Sequence, residues 1–285
     1  MKFSKWLLYL RVFGGKAAQF LVFLALAALN LIPFLWGFIT SLKSAREVLA
    51  YPPQISGFAV SWEHYANIIA SGFLQSLKVS TFYCFSAIGI GLLLGLMIAY
   101  SLKRYQYKGR KLIFYLVLCA IPLSSGSAAM VVPNYVFFTE IGFSNQWYTM
   151  PILYTAYNLP MAIWIIMGGI EGIPLAIEES MIIDGANRLY LIFNMTIRLC
   201  LPSLSAAALF IFIGAWNDYV VGSVMVNSTY LKPIQVSVYN FLGYYGREWG
   251  PLSASATAAV LPILVVFAFL GRLLISGMTQ GAVKE

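Results

Sequence analysis

The sequence predicts an all-α integral membrane protein with about six transmembrane helices. Two observations carry that prediction. Hydrophobic residues make up 60% of the 285 and charged residues only 10%, whereas soluble domains carry about 25% charge; the mean hydropathy is +0.80. The apolar residues also form continuous runs near 19–41, 72–101, 112–133, 147–169, 203–226 and 252–275, and roughly 20 such residues suffice for a helix to cross the hydrocarbon core. A barrel strand would alternate polar and apolar residues, which Gly89–Ile98 does not. No soluble domain or hydrophilic linker interrupts residues 1–285, so a single membrane domain is expected.

The first run contains Ala25-Leu26-Ala27, which resembles a signal-peptide cleavage site, but it stays apolar to Ile39 and reads as an uncleaved span. The second is long enough to tilt or to extend beyond the bilayer. It contains Gly89, Gly91 and Gly95, small residues that allow close helix approach within the chain or against a second membrane subunit. The run Ser253–Ala259 in the sixth has the same character. In the fifth, Trp216-Asn217-Asp218-Tyr219 interrupts the apolar pattern. Asp218 lies 16 residues beyond Pro202, roughly 24 Å along a helix. A carboxylate so deep faces a bundle interior, as a packing group, or a watery translocation cavity.

Basic residues orient the spans. Thirteen fall in the N-terminal tail, the second and fourth loops and the C-terminal tail, against four in the other loops. The positive-inside rule places the rich side, and with it both termini, in the cytoplasm. The net charge of +8 follows from this bias and is no nucleic-acid signal. Cys84, Cys119 and Cys200 show no paired spacing, and His64, the one histidine, falls in an external loop. Neither suggests a disulfide framework or a metal-dependent enzyme.

The fourth loop, 170–202, is far longer than reconnecting two helices requires. Pro174 sits where a helix can begin, with Glu178 and Glu179 near its positively polarised N-terminus. Gly185 then breaks the helix or lets another backbone come close, and Pro202 opens the next span. The expected shape is a short helix, a bend, and a second helix along the membrane face.

Glu178-Glu179-Ser180-Met181-Ile182-Ile183-Asp184-Gly185-Ala186, followed by Leu199-Cys200-Leu201-Pro202, resembles the EAA loop of binding-protein-dependent ABC importers. Ser180-Met181 replaces two alanines, and the gap to Pro202 is about four residues longer, roughly one helical turn. Several other segments resemble the maltose-type permeases of carbohydrate importers: Ala99-Tyr100-Ser101-Leu102-Lys103-Arg104, Ile141-Gly142-Phe143-Ser144-Asn145, Ile173-Pro174, Trp216–Tyr219 and the tail from Arg272 to Glu285. Gly168-Gly169 stands where that branch has an aromatic pair, implying a looser helix end.

The resemblance implies a type I ABC importer permease fold in a bacterial-type inner membrane, importing a sugar or oligosaccharide. The chain has no GxxxxGK[ST] phosphate loop. It is therefore expected to be a transporter subunit and no enzyme, with no cofactor of its own and with ATP and Mg on two separate ATP-binding subunits. A second related permease and an external solute-binding protein complete the expected assembly. ATPase coupling is expected through Glu178, Glu179, Asp184, Gly185 and Ala186, with Glu179 the main polar contact. Gly277, Thr279, Gly281 and Lys284 are candidates for a tail contact to the ATPase, and Trp216, Asn217, Asp218 and Tyr219 for the substrate pathway. The competing classes are a permease for a non-sugar solute, an ion-driven secondary transporter or channel, and an intramembrane enzyme. The last would need converging catalytic groups, and the one deep carboxylate has no companion.

Overall fold

The computed structural model describes residues 2–124, 128–242 and 248–281. Among them there is no strand. The helices are α1 (Lys2–Ser41), α2 (Ala45–Val48), α3 (Glu63–Ala70), α4 (Phe73–Arg104), α5 (Arg110–Ser124), α6 (Ala128–Glu140), α7 (Thr149–Glu171), α8 (Leu175–Ile183), α9 (Arg188–Leu199), α10 (Leu201–Trp216), α11 (Val220–Met225), α12 (Ile234–Tyr239) and α13 (Trp249–Gly281). Four of them contain stretches long and apolar enough to cross a membrane: Gln19–Ser41, Phe73–Arg104, Thr149–Glu171 and Trp249–Leu274. Counting the bent pair α9–α10 as one span gives a fifth.

Two expected spans differ in form. The run 112–133 falls on α5 and the start of α6, with residues 125–127 outside the described set. The run 203–226 is not one helix, because the chain leaves helical form after Trp216 and re-enters it at Val220. Asp218 is the physical reason. Its carboxylate accepts from the backbone amides of Val221 (3.2 Å) and Gly222 (2.9 Å), capping a new helix instead of continuing the old one.

The chain forms two compact units. One comprises residues 1–71 and 241–258. Here Ser41 bonds the Tyr65 hydroxyl at 2.9 Å, and the Lys43 ammonium lies 4.9 Å from the centre of the Trp36 ring. His64, expected in an external loop, lies on α3 and is buried, its ring filling the space where a Cβ on Gly250 would sit.

The other unit comprises residues 72–240 and 259–285. Helices α4, α7 and α10 pack pairwise, and α5 lies along α7. Cys84, Ala87 and Ala99 of α4, Met150 and Ile166 of α7, and Ala207 and Ile211 of α10 are fully buried. Small residues set the spacing. A Cβ on Gly91 would come within 2.8 Å of Ile211, and one on Gly95 within 3.1 Å of Ile166, whereas Gly89 has open space. Gly91 and Gly95 are thus used inside the chain. Gly169 is equally close-packed, since a Cβ there would collide with Ser203. The looser helix end expected at Gly168-Gly169 is instead a tight crossing of α7 and α10.

Turn chemistry pins the connections. Gly142 (φ 72°) and Asn145 (φ 57°) take left-handed backbone, and the Asn145 side chain accepts from the amides of Asn227 (3.0 Å) and Ser228 (2.8 Å). Ser80 accepts from the Ile234 amide at 2.7 Å, and the Tyr83 hydroxyl donates to the Leu231 carbonyl at 3.1 Å, holding the start of α12 to α4.

At the opposite end of α4, Arg104 donates to Glu178 on α8 (2.6 Å) and to the carbonyls of Ile170 (3.1 Å) and Ile173 (2.9 Å) at the end of α7. The Tyr100 hydroxyl donates to the second Glu178 oxygen at 3.2 Å. Both charged side chains are buried. The neighbouring Lys103–Glu171 pair, at 2.7 Å, is exposed on its carboxylate side.

Two predictions follow from this packing. Gly91→Leu forces α4 from α10 and costs about 1–3 kcal/mol. Its thermal unfolding midpoint in detergent falls by several degrees, while Gly89→Leu leaves it unchanged; equal midpoints would overturn the packing role. Glu178→Ala strands a buried guanidinium at roughly 3–5 kcal/mol, so its midpoint falls furthest. Lys103→Ala breaks only a screened surface pair and leaves the midpoint at the wild-type value. The comparison fails if the two variants behave alike.

Candidate functional site

The first candidate region is the α8–α9 connection. Pro174 is the N-cap residue of α8. At its other end the Ala186 amide donates to the Met181 carbonyl and the Gly185 amide to that of Ile182, both at 3.0 Å, with Gly185 at φ 86°. This is a Schellman cap, which places its left-handed residue just past the helix and favours glycine there. Asn187 then accepts from the Tyr190 amide at 2.7 Å and starts α9. The interval between Gly185 and Pro202 is taken up mostly by α9, which widens to a π stretch over Leu191–Thr196. Helix α9 meets α10 at 82°, so the expected helix, bend and second helix are all present.

The loop residues divide by face. Glu178 points inward and is spent on Arg104 and Tyr100. Glu179, Asp184 and Gly185 are exposed and Ala186 is half-buried. Leu175, Ile182 and Ile183 are exposed beside them, Ile183 by 85%. Met181, Asp184, Gly185, Ala186, Asn187 and Tyr190 border a concavity of about 500 Å³. An apolar patch with a polar rim, presented on a rigid helix, is the character of a protein-docking surface.

The second region is the break between α10 and α11. A cavity of about 540 Å³ lies there, lined by Tyr154, Tyr157 and Asn158 of α7, Asn217, Asp218 and Tyr219 at the break, and Tyr239 of α12. Tyr219 and Tyr239 stack with ring centres 4.1 Å apart. Tyr154 donates to Asp218 at 3.0 Å, and Tyr157 accepts from Asn134 at 2.6 Å. The Asn158 side chain lies against Gly214, where a Cβ would collide with it.

Trp216 is not part of the lining. It is 1% exposed, stacks on Phe212 and donates to the Ala259 carbonyl at 3.2 Å. Three of the four residues expected on a pathway thus meet in one cavity, and the fourth is a core residue. Asp218 combines both expected roles, since it caps α11 and lines the cavity. Sequence reasoning missed Tyr154, Tyr157 and Asn158. Their signal was present as polar-tipped residues at i, i+3 and i+4 of an apolar span, which share one helix face. Of the tail candidates, Gly277, Thr279 and Gly281 lie on the backbone of α13, and Lys284 falls outside the described residues.

Comparison with known proteins gives this geometry its context. Residues 91–280 match the family model of the binding-protein-dependent transport system inner membrane component. The chain is 30% identical over 266 residues to the inner membrane ABC transporter permease protein YcjP of Escherichia coli K12, covering 90% of this chain and 92% of that one. It is 25% identical to the trehalose/maltose transport system permease protein MalG of Thermococcus litoralis, over 91% and 93% of the two chains. A solved bacterial ABC transporter involved in the import of the acidic polysaccharide alginate superposes with a TM-score of 0.77 at 20% identity, covering 92% and 96%. The fold is therefore that of an ABC importer permease, and the chain belongs to the family of binding-protein-dependent transport system inner membrane components.

Proposed function

We propose that this chain is one permease subunit of an ATP-driven importer that carries a sugar or oligosaccharide into the cytoplasm by alternating access. The observation that carries this reading is the division of labour on α8. One face is tied through Glu178 to Arg104 and so to the ends of α4 and α7, while the other presents Glu179, Asp184 and an exposed apolar patch. A helix so placed receives a push from a docked partner and passes it to the spans. The partners proposed are two ATP-binding subunits that hold ATP and Mg, a second related permease, and an external solute-binding protein. Both termini lie on the cytoplasmic side in this reading, because the basic residues concentrate there.

The docking contacts are assigned to Glu179 and Asp184, with Gly185 and Ala186 shaping the turn, and a further contact to the tail around Gly277, Thr279, Gly281 and Lys284. The sugar reading draws on the cavity at the α10–α11 break. Aromatic faces suit the C–H faces of a sugar ring, and the Asn158 and Asn217 amides suit its hydroxyls. It draws also on relatives named for trehalose/maltose and diacetylchitobiose uptake.

Reconstitution of the full importer in liposomes tests both parts. Glu179→Ala and Gly185→Val are expected to insert normally and lose at least about tenfold of binding-protein-stimulated ATP hydrolysis and uptake; that figure corresponds to roughly 1.4 kcal/mol of coupling. Truncation after Ser276 is expected to reduce coupling as well. Wild-type stimulation in all three would overturn the docking assignment. Tyr219→Ala with Tyr239→Ala, and separately Asn158→Ala, should lower uptake of labelled oligosaccharide while ATP hydrolysis without binding protein stays constant. Unaltered uptake in both would remove the cavity from the pathway.

A further inference from the structure

We propose that Arg188 is a positioning residue of the α8–α9 connection, a second tether through which α9 moves with the end of α4. The first tether, Glu178 to Arg104, lies on α8. Beyond it the chain turns through Gly185, at φ 86°, and Asn187, extended at ψ 163°. Glycine is the most permissive backbone position a turn can have. With the first tether alone, a displacement of α8 can be absorbed in that turn before it reaches α9.

Local sequence leaves Arg188 uncompensated. It is the first residue of α9, directly after the Asn187 cap, and no acidic residue stands in that turn. The N-terminus of a helix is positively polarised, so a cation there is unfavourable by itself. Tertiary contacts supply the compensation. The Arg188 guanidinium lies over the Tyr105 ring, 5.7 Å from its centre, within the range of a cation–π contact. It also meets the Tyr100 hydroxyl. That hydroxyl donates to Glu178 at 3.2 Å and keeps lone pairs with which to accept from Arg188.

Tyr105 is placed to receive this contact. It caps the C-terminus of α4, its amide donating to the Ser101 carbonyl at 3.1 Å. Its ring packs edge-on against Tyr100, with centres 6.2 Å apart. Its carbonyl accepts from Arg110 at the start of α5, at 3.3 Å. Tyr105 therefore follows α4, and Arg188 ties α9 to it. Helix α9 leads into α10 through Cys200, whose amide donates to the Thr196 carbonyl at 2.8 Å and whose carbonyl accepts from the Leu204 amide at 2.9 Å. Displacement of α9 is thus delivered to α10, the helix that ends at the cavity. The role in coupling rests on the importer reading above, and Arg188 is not among the docking residues assigned there.

The reconstituted importer tests this tether through the number of solute molecules imported per ATP hydrolysed. Arg188→Ala and Tyr105→Leu are each expected to lower that ratio by about two- to fivefold, the range an exposed cation–π contact supports. Arg188→Lys and Tyr105→Phe, which keep a cation and a ring, should stay near the wild type. Arg188→Ala combined with Tyr105→Leu should lose no more than either alone, because both remove the same contact. The unfolding midpoint and the co-purification of the ATP-binding subunits should stay unchanged throughout. A wild-type ratio in Arg188→Ala would overturn the tether. So would a loss that Tyr105→Leu does not share, or one accompanied by failed co-purification, since Arg188 would then be a docking contact. Those outcomes leave the importer reading standing. Uptake by the wild-type complex that is independent of ATP would overturn that reading, and the tether's role with it.

Discussion

Arg104 holds three segments of this chain together with one side chain. It stands at the last residue of α4 and reaches Glu178 on α8 and two carbonyls at the end of α7. The Ile170 carbonyl, in the last turn of α7, also accepts from the Ile173 amide at 3.1 Å, so Arg104 adds a second bond there and ties down the residue just past the helix. The guanidinium suits the position because its planar fork offers several donors in fixed directions and stays charged. A buried ion pair adds little net stability when every group is satisfied, but it fixes where α8 sits. Movement of α8 therefore cannot be separated from movement of α4 and α7.

The same economy explains the two faces of α8. Its inward carboxylate, Glu178, is consumed by Arg104 and Tyr100, which leaves Glu179 and the apolar residues around Ile183 turned outward. The Schellman cap at Gly185 ends the helix before α9 begins. Rigid presentation of this kind would reduce the entropy lost in the docking proposed for it.

The break between α10 and α11 is the second organising feature. Backbone outside helical form is tolerated at membrane depth only where protein or a cavity surrounds it. Asp218 meets that condition by accepting from the Val221 and Gly222 amides in the first turn of α11, while Trp216 anchors the preceding turn in the core. The cavity follows from this break. Ending α10 there brings Asn217 and Tyr219 opposite the polar face of α7, with Tyr239 of α12 closing one side.

Much of this was legible in the sequence. Long apolar runs in a chain with few charges leave the bilayer as the solvent, and hydrogen-bond satisfaction in lipid then requires helices. Pro174, Gly185 and Pro202 marked the helix ends of the fourth loop through local backbone restrictions, which tertiary contacts do not alter. Only the tertiary structure decided how polar side chains were shared out. Glu178 and Glu179 are adjacent and chemically identical, yet one is buried against Arg104, 74 positions away, and the other is exposed. Trp216 and Tyr219 belong to one motif, yet one is core and the other cavity wall. Gly169, read as a loose helix end, is a close crossing because Ser203 fills the space beside it. Local sequence sets where a helix starts and stops. The direction a side chain faces, and what meets it there, depends on residues far along the chain that only folding brings together.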